Sequence, residues 1–367
     1  MRCIDTVSKG DYVSKIGSFI RDFLAKTAVL LPNSFLNFVA NSNLIIATFR
    51  VLHISKLCKV RSIGIHITNK CDLNCIYCYS ERNGCKGLSN EKIHSLISEV
   101  RDNGIRKIAF LGGEPLLNPD IFSFINECYD KGITSYLYTN GVHIDEDVIA
   151  KLLNFKDKLV LVFNFDHPKT YAKHKLNDFY DQVYENIKRC KKKRFKIVLF
   201  VALTKLNFPF FEDILLIGKK LGVKVKVERY VPLNDAKVNN GLELSAEEWC
   251  FAQETYKKIY PRRYITNLIY KKVMKSNCVC YNEALFVMFN GDVLPCPYTT
   301  SDFRIGDVNH SPLKQIIKKY DVLKVEWNKI PKGCKGCEKA DYCRGGCKTS
   351  RFLDHNSLEK KQDCCCK

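Results

Sequence analysis

The sequence predicts an α/β protein: an open, partial (β/α)6 TIM-like barrel with a short helical N-terminal region before it and a cysteine-rich domain after it. Three observations point there. From Arg61 to about Asp235, short β-rich runs alternate with helical segments, the pattern of repeated βα units on a parallel sheet. Six such runs make an open barrel rather than the closed eight-stranded one. The chain's 19 cysteines in 367 residues are clustered and odd in number, which fits metal ligation better than a paired disulfide framework.

Residues 1–60 carry two apolar stretches. Tyr12, Val13, Ile16, Phe19, Ile20, Phe23 and Leu24 recur at helical spacing, and a second stretch runs from Phe35 to Leu52, with Pro32 and Asn33 between them. Arg21, Asp22, Lys26, Asn37, Asn41, Asn43 and Arg50 interrupt them, so neither offers the roughly 20 apolar residues of a membrane span. Docking on the following domain is the expected fate, with peripheral membrane contact as the alternative.

The strands of the barrel, residues 61–235, are expected at Ser62–Thr68, Lys107–Leu111, Thr134–Thr139, Leu159–Phe165, Phe195–Leu203 and Val223–Val231. Helices are expected near Asn90–Asp102, Pro119–Asp130, Glu146–Asn154, Asn177–Lys192 and Phe208–Leu221. Functional groups should gather at the C-terminal strand ends. A helical bridge over 236–277, containing Ala246–Ile259, leads into the cysteine-rich domain over 278–367, punctuated by Gly and Pro.

Composition narrows the class. At 46% hydrophobic the chain buries a large core and is not disordered. The start lacks the basic, apolar and small-residue regions of a secretory signal, so a reducing cytoplasm is expected. The net charge of +20 comes from lysines scattered along the chain, with runs at Lys188–Lys196 and Lys257–Arg263, and reads as a solvated surface. The runs lack the interleaved aromatics and Gly-rich strands of RNA-binding modules, so nucleic acid is not an expected partner.

The first strand runs straight into a loop holding Cys71, Cys75 and Cys78. Spacings of three and two residues let one loop present three thiolates to three corners of a [4Fe–4S] cubane, leaving one iron without a protein ligand. An open iron can bind a cofactor and pass it an electron, whereas a fully ligated cluster only relays electrons. The competing reading is zinc. It closes a four-ligand tetrahedron, and the nearest histidine, His66, sits on the preceding strand.

This C-x3-C-x2-C loop, with Tyr77 inside it, resembles the radical S-adenosylmethionine (radical SAM) superfamily. The resemblance implies that the methionine amino and carboxylate groups chelate the open iron, and that reductive cleavage gives a 5′-deoxyadenosyl radical that abstracts a hydrogen atom. Tyr77 would lie beside the adenine. After the second strand, Gly112-Gly113-Glu114-Pro115 matches the family's GGEP motif. Its glycines let a ligand approach a strand end, and the resemblance gives Glu114 and the backbone around Gly113 the methionine ammonium. Asn140 at the third strand end, and Asn164 and Asp166 at the fourth, are similar to further cofactor contacts. Asn164 stands where relatives often carry serine, but still donates and accepts hydrogen bonds. Arg229, near the sixth strand end, offers a carboxylate clamp or a surface ion pair.

Cys334, Cys337, Cys343 and Cys347 follow spacings of two, five and three, downstream of Cys278, Cys280 and Cys296. The arrangement resembles the SPASM extension, including a hairpin over Phe286–Leu294 turning at Asn290-Gly291, the run Arg304–Val308, and a helix from about Pro312. The resemblance implies two auxiliary clusters and three [4Fe–4S] clusters in all. One takes Cys278 or Cys280 or both, with Cys296 and Cys347. The other takes Cys334, Cys337, Cys343 and one of Cys364, Cys365 and Cys366, with Cys365 as the working choice. Rubredoxin-like iron or zinc knuckles are the competing reading. Cys3, Cys58, Cys85, Cys128, Cys190 and Cys250 read as core or incidental thiols.

The implied function is a maturase-type radical SAM enzyme. It would act on a peptide or protein side chain or a cofactor precursor, and draw electrons from a low-potential donor of the ferredoxin or flavodoxin type. Which residue is catalytic stays open. Residues 1–60 look too short and helical for the winged leader-binding domain of many peptide maturases, and Pro297 replaces the Asp that sulfatase-maturing enzymes carry there. A lipid or tetrapyrrole substrate is therefore the alternative within the class. Outside it stands a non-enzymatic electron carrier, against which the open-iron triplet and Glu114 argue.

Overall fold

The computed structural model describes residues 60–80, 87–233, 241–276, 278 and 280–355, with Ser34 and Leu358. The expected helices within 1–60, the boundary at Asp235, and Cys3, Cys58, Cys85, Cys364, Cys365 and Cys366 lie outside the described residues. The chain divides into two compact units. One takes Val60–Ala252 and Glu283–Leu323, the other Gln253–Asn282 and the described residues from Lys324 onward.

The first unit is the α/β partial barrel. Its strands are β1 (Ser62–His66), β2 (Lys107–Leu111), β3 (Thr134–Thr139), β4 (Leu159–Asn164), β5 (Lys196–Leu203) and β6 (Lys224–Arg229), paired in parallel in chain order. Between them run α1 (Asn90–Asp102), α2 (Ile121–Asp130), α3 (Glu146–Leu153), α4 (Pro168–Lys175), α5 (Tyr180–Lys192) and α6 (Phe211–Leu221). Each strand matches its expected run to within two residues at either end. The segment expected as one helix over Asn177–Lys192 begins at Tyr180, and α4 precedes it as an additional helix.

Local chemistry explains the helices. In α1, Ile93, Leu96, Ile97 and Val100 recur every three to four residues and are all buried. Ser89 Oγ caps its start by accepting from Lys92 N at 3.2 Å, and Asp145 Oδ1 does the same for α3 from Val148 N at 2.8 Å. Alternation along the strands divides two faces. Leu161, Phe163, Leu199 and Val201 are fully buried, each worth roughly 1.5–3 kcal/mol of apolar transfer. The opposite face carries Val160, Val162 and Phe200, with Tyr136, Tyr138 and Val198 half-buried against them.

The sheet does not stop at β1. β7 (Ala284–Val287) pairs in parallel with β1 on the side away from β2, and β8 (Asp292–Leu294) and β9 (Gly306–Asp307) add antiparallel strands, giving the order β6-β5-β4-β3-β2-β1-β7-β8-β9. The expected domain boundary at 278 therefore falls before a segment that completes the barrel's own sheet. An uncovered β1 would present an edge of unpaired N–H and C=O groups, and β7 satisfies it. The expected hairpin is the β7–β8 pair: Met288 N donates to Asp292 O at 2.7 Å, and Gly291 takes the left-handed φ of +96° that the turn requires.

In the second unit, α7 (Ala246–Ile259), which begins in the barrel unit, leads to α8 (Pro261–Met274). The short helix α9 (Cys280–Glu283) follows. The expected helix from about Pro312 is α10 (Leu313–Trp327), which crosses from the first unit to the second. Two short helices follow, α11 (Ala340–Cys343) and α12 (Lys348–His355). Among the described residues no helix is long and apolar enough to cross a membrane.

Candidate functional site

The C-terminal ends of β1 to β4 carry the residues singled out in the sequence. After β1, the backbone of Thr68–Lys70 is zipped to the end of β2: Gly113 N donates to Thr68 O at 2.8 Å, and Glu114 N to Lys70 O at 2.7 Å. The two glycines make this possible. A Cβ on Gly112 would lie 2.1 Å from Thr68 O, and one on Gly113 the same distance from Lys70 O. Gly112 also holds φ at +140°, a conformation close to glycine-only. What approaches closely in this structure is the backbone leading into Cys71, not only a prospective ligand. Pro115 begins a short 3-10 turn that closes the motif.

Glu114 is wholly buried. Its Oε2 accepts from Asn140 N at 2.7 Å and its Oε1 from Leu116 N at 3.2 Å. Burial raises its pKa to about 7 against the lowering pull of the Asn140, Leu116 and Thr139 hydrogen bonds. Asn140 Nδ2 reaches Asp72 Oδ1 at 2.8 Å, and His143 Nε2 lies 3.1 Å from Asp72 Oδ2. Glu114, Asn140 and the cysteine loop thus form one hydrogen-bonded network.

The loop itself is pinned by backbone. Ile76 N donates to His174 O at 2.9 Å and Cys78 N to Cys75 O at 3.1 Å, while Leu73 N points at Cys71 Sγ from 3.5 Å. Burial lifts the Cys71 thiol to about 11, eased by the Leu73 N–H and reinforced by Cys75, Glu114 and Asp72. Tyr77 turns toward β4: its hydroxyl donates to Asn164 Oδ1 at 2.9 Å, and its ring packs edge-on against His174 at 5.2 Å.

Two residues the sequence reading passed over complete this corner. Lys175, fully buried at the end of α4, donates to the same Asn164 Oδ1 at 2.9 Å and stands 5.1 Å over the Tyr77 ring. His174 pairs closely with Asp166 and reaches Thr204 Oγ1 at 2.8 Å. The one signal for α4 was His167-Pro168, since proline favours the first helical turn. Asp166 is a buried hub, accepting from His167 N, Thr170 Oγ1 and Asn207 Nδ2 besides His174. Burial would raise its pKa, but His174, Lys175 and Asn207 together hold it below the ordinary value. Its hydrogen bonds thus order α4 and the loop that receives Tyr77. Arg229 ends β6 and donates to Leu244 O at 2.5 Å, tying β6 to the following segment.

Of the C-terminal cysteines, Cys296 follows β8 in the barrel unit and is buried. In the other unit, the Cys280 thiol and then burial push the Cys278 thiol well up, while burial followed by Cys278 raises that of Cys347. Cys347 sits at the start of α12, with Ser350 N directed at its sulfur from 3.5 Å. Cys334, Cys337 and Cys343 share one short stretch, where Cys337 N donates to Cys334 O, and Tyr342 feels both Cys343 and Cys337. Cys128 and Cys190 are buried in α2 and α5, each thiol pushed up to about 12 by burial, and Cys250 is exposed.

The donors on offer, Cys71, Cys75 and Cys78 on one loop and Cys334, Cys337, Cys343 and Cys347 on another stretch, are thiols, the ligands iron–sulfur clusters take. A cubane needs each thiolate on a different iron. The sequence matches the radical SAM superfamily over residues 65–215 and the SPASM iron–sulfur cluster-binding domain over residues 278–338.

The chain belongs to the radical SAM superfamily and carries a C-terminal SPASM domain.

It is accordingly an enzyme that binds S-adenosylmethionine and a [4Fe–4S] cluster, with further iron–sulfur at the SPASM domain. Similar proteins include a probable GTP 3′,8-cyclase of Methanocaldococcus jannaschii, 28% identical over 188 residues, which are 48% of this chain and 61% of that protein. That match spans less than two-thirds of the relative's length. A probable GTP 3′,8-cyclase of Methanococcus vannielii is 26% identical over 226 residues, 57% of this radical SAM chain and 71% of that one. Among solved structures, Streptococcus suis SuiB bound to S-adenosylmethionine superposes with a TM-score of 0.65 at 16% identity, covering 88% of this chain and 83% of SuiB. The anSMEcpe structure with bound AdoMet and the Cp18Cys peptide gives 0.64 at 19%, covering 82% and 92%. At such identities the likeness is one of fold.

Proposed function

We propose that this radical SAM enzyme generates a 5′-deoxyadenosyl radical and abstracts hydrogen from a peptide or protein side chain or a cofactor precursor. In this reading Cys71, Cys75 and Cys78 hold the catalytic cluster, which when bound supplies the electron that cleaves S-adenosylmethionine. Glu114 receives the methionine ammonium. Tyr77 is fixed by Asn164, and Lys175 sets a buried positive charge beside it where a carboxylate can be neutralised. Asp166 and His174 keep that corner rigid, so that little reorganisation is left for the bound complex.

The observation that carries the substrate side is the half-buried face of β3–β6. It presents Tyr136, Tyr138, Val160, Val162 and Phe200, with the Lys226–Glu228 ion pair at 2.6 Å and Lys226 over the Phe200 ring. Aromatic and aliphatic walls suit a side chain or an aromatic precursor. They suit poorly the nucleoside triphosphate in the names of the sequence relatives, whose charge calls for a cluster of cations. Complexes such as SuiB bound to precursor peptide SuiA share the fold and are compatible with the same reading.

The test is anaerobic reconstitution with reductant, S-adenosylmethionine and, in a parallel reaction, GTP. Deoxyadenosine should form, and GTP should be returned unchanged. Conversion of GTP to a cyclised product would overturn the substrate reading, and absence of deoxyadenosine the radical one.

A further inference from the structure

Lys348 is the first residue of α12 and follows Cys347 directly. It is 0% exposed, and its Nζ finds no hydrogen-bond partner among the described residues. A lysine left so costs several kcal/mol unless an anion faces it. Its Nζ stands 5.6 Å from the centre of the ring of Tyr281, the residue that directly follows Cys280.

Arg351, one turn along α12, is 1% exposed, and its Nη1 donates to Arg344 O at 3.1 Å. Space for that guanidinium is made by Gly345, where a Cβ would lie 1.9 Å from Arg351 Nη1. Lys348 thus follows Cys347 in the chain and stands over the ring next to Cys280, two residues on from Cys278, with Arg351 buried one turn further along α12.

We propose that Lys348, seconded by Arg351, is the charge partner of an iron–sulfur cluster ligated by these thiols, and that it raises the cluster's reduction potential. The inference rests on the reading of Cys278, Cys280 and Cys347 as ligands. Reduction adds one negative charge to a thiolate-ligated cluster, and net charge, hydrogen bonding and burial are what set such potentials. A buried ammonium stabilises the reduced form more than the oxidised one. It acts by position, without touching the reacting atoms.

The experiment uses full-length protein carrying Cys71→Ala, Cys75→Ala and Cys78→Ala, so that only C-terminal iron is present, titrated redox-potentiometrically with EPR detection. The signal absent from a further Cys278→Ala/Cys280→Ala variant marks the site. Lys348→Met should keep its iron and sulfide and titrate at a more negative potential, while Lys348→Arg should stay near the parent. Loss of the site's iron from the Met variant overturns the potential-tuning role. An unshifted Met variant with full iron, or iron lost equally from both variants, overturns it. If Cys278→Ala/Cys280→Ala loses no iron, the ligand reading has failed instead.

Discussion

Glu114→Gln separates the binding role of this carboxylate from its structural one. Gln keeps the volume but offers one acceptor where Glu114 offers two, so either Asn140 N or Leu116 N loses its partner. An unsatisfied buried donor costs about 1–3 kcal/mol. Against that, burial has raised the carboxyl from 4.5 to about 7, and Gln escapes the penalty of ionising there, about 3 kcal/mol above neutrality at roughly 1.4 kcal/mol per pKa unit. The two effects oppose each other, so thermal stability near pH 8 should change little. Binding has no such offset: a charge-assisted hydrogen bond to an ammonium is worth about 1.5–3 kcal/mol, or roughly 10- to 150-fold in affinity. Equilibrium dialysis of labelled S-adenosylmethionine against anaerobically reconstituted protein should show that loss, with melting curves as the control. Unchanged affinity in a folded Glu114→Gln variant would refute the assignment of the ammonium to this residue.

The same carboxyl sets a pH dependence. Its folded pKa lies above its unfolded value, so stability falls as pH rises from about 4.5 to about 7, while affinity for a cationic group rises over that window and levels off beyond it; binding isotherms between pH 5.5 and 8 test this, and a flat profile would contradict it. Replacing Cys71, Cys75 and Cys78 together by Ala should abolish deoxyadenosine formation and leave the C-terminal iron in place, as read by iron and sulfide per chain. Gly113→Ala drives a Cβ against the Lys70 carbonyl and should break the two hydrogen bonds of the zipped backbone, about 1–3 kcal/mol in total, lowering iron retention by the N-terminal loop without touching the SPASM iron. Lys175→Met should weaken S-adenosylmethionine binding while the protein stays folded; wild-type affinity would remove Lys175 from the cofactor's surroundings.

The six parallel strands were legible because each is a short apolar or alternating run between amphipathic helices, and the cysteine loop because its spacing is chemistry written into sequence. Helix α4 was not. Its buried residues include Thr170, Tyr171, His174 and Lys175, so hydrophobic periodicity is silent where polar groups form the inner face. For the same reason, reading lysines as solvated surface hides Lys175 and Lys348, whose burial depends on partners distant in sequence. The sequence reads Asp166 as a cofactor contact, and gives no sign of its place as the hub joining α4 to Asn207. The continuation of the sheet into β7–β9 escaped because it depends on a pairing between Ile63 and Leu285, across most of the chain.

That pairing has a bearing on how the protein is made. The strand that delivers the cysteine loop has β2 on one side and β7 on the other, and the second neighbour leaves the ribosome more than two hundred residues after the first strand. Until then β1 is a raw edge with three thiols at its tip, open to pairing with another chain. Constructive assembly of the catalytic end must therefore wait for the carboxyl-terminal third of the polypeptide. A nonsense mutation or proteolytic cut ahead of Ala284 would not yield a smaller working barrel. Either product would carry β1 with one edge unpaired, a surface open to pairing with another chain.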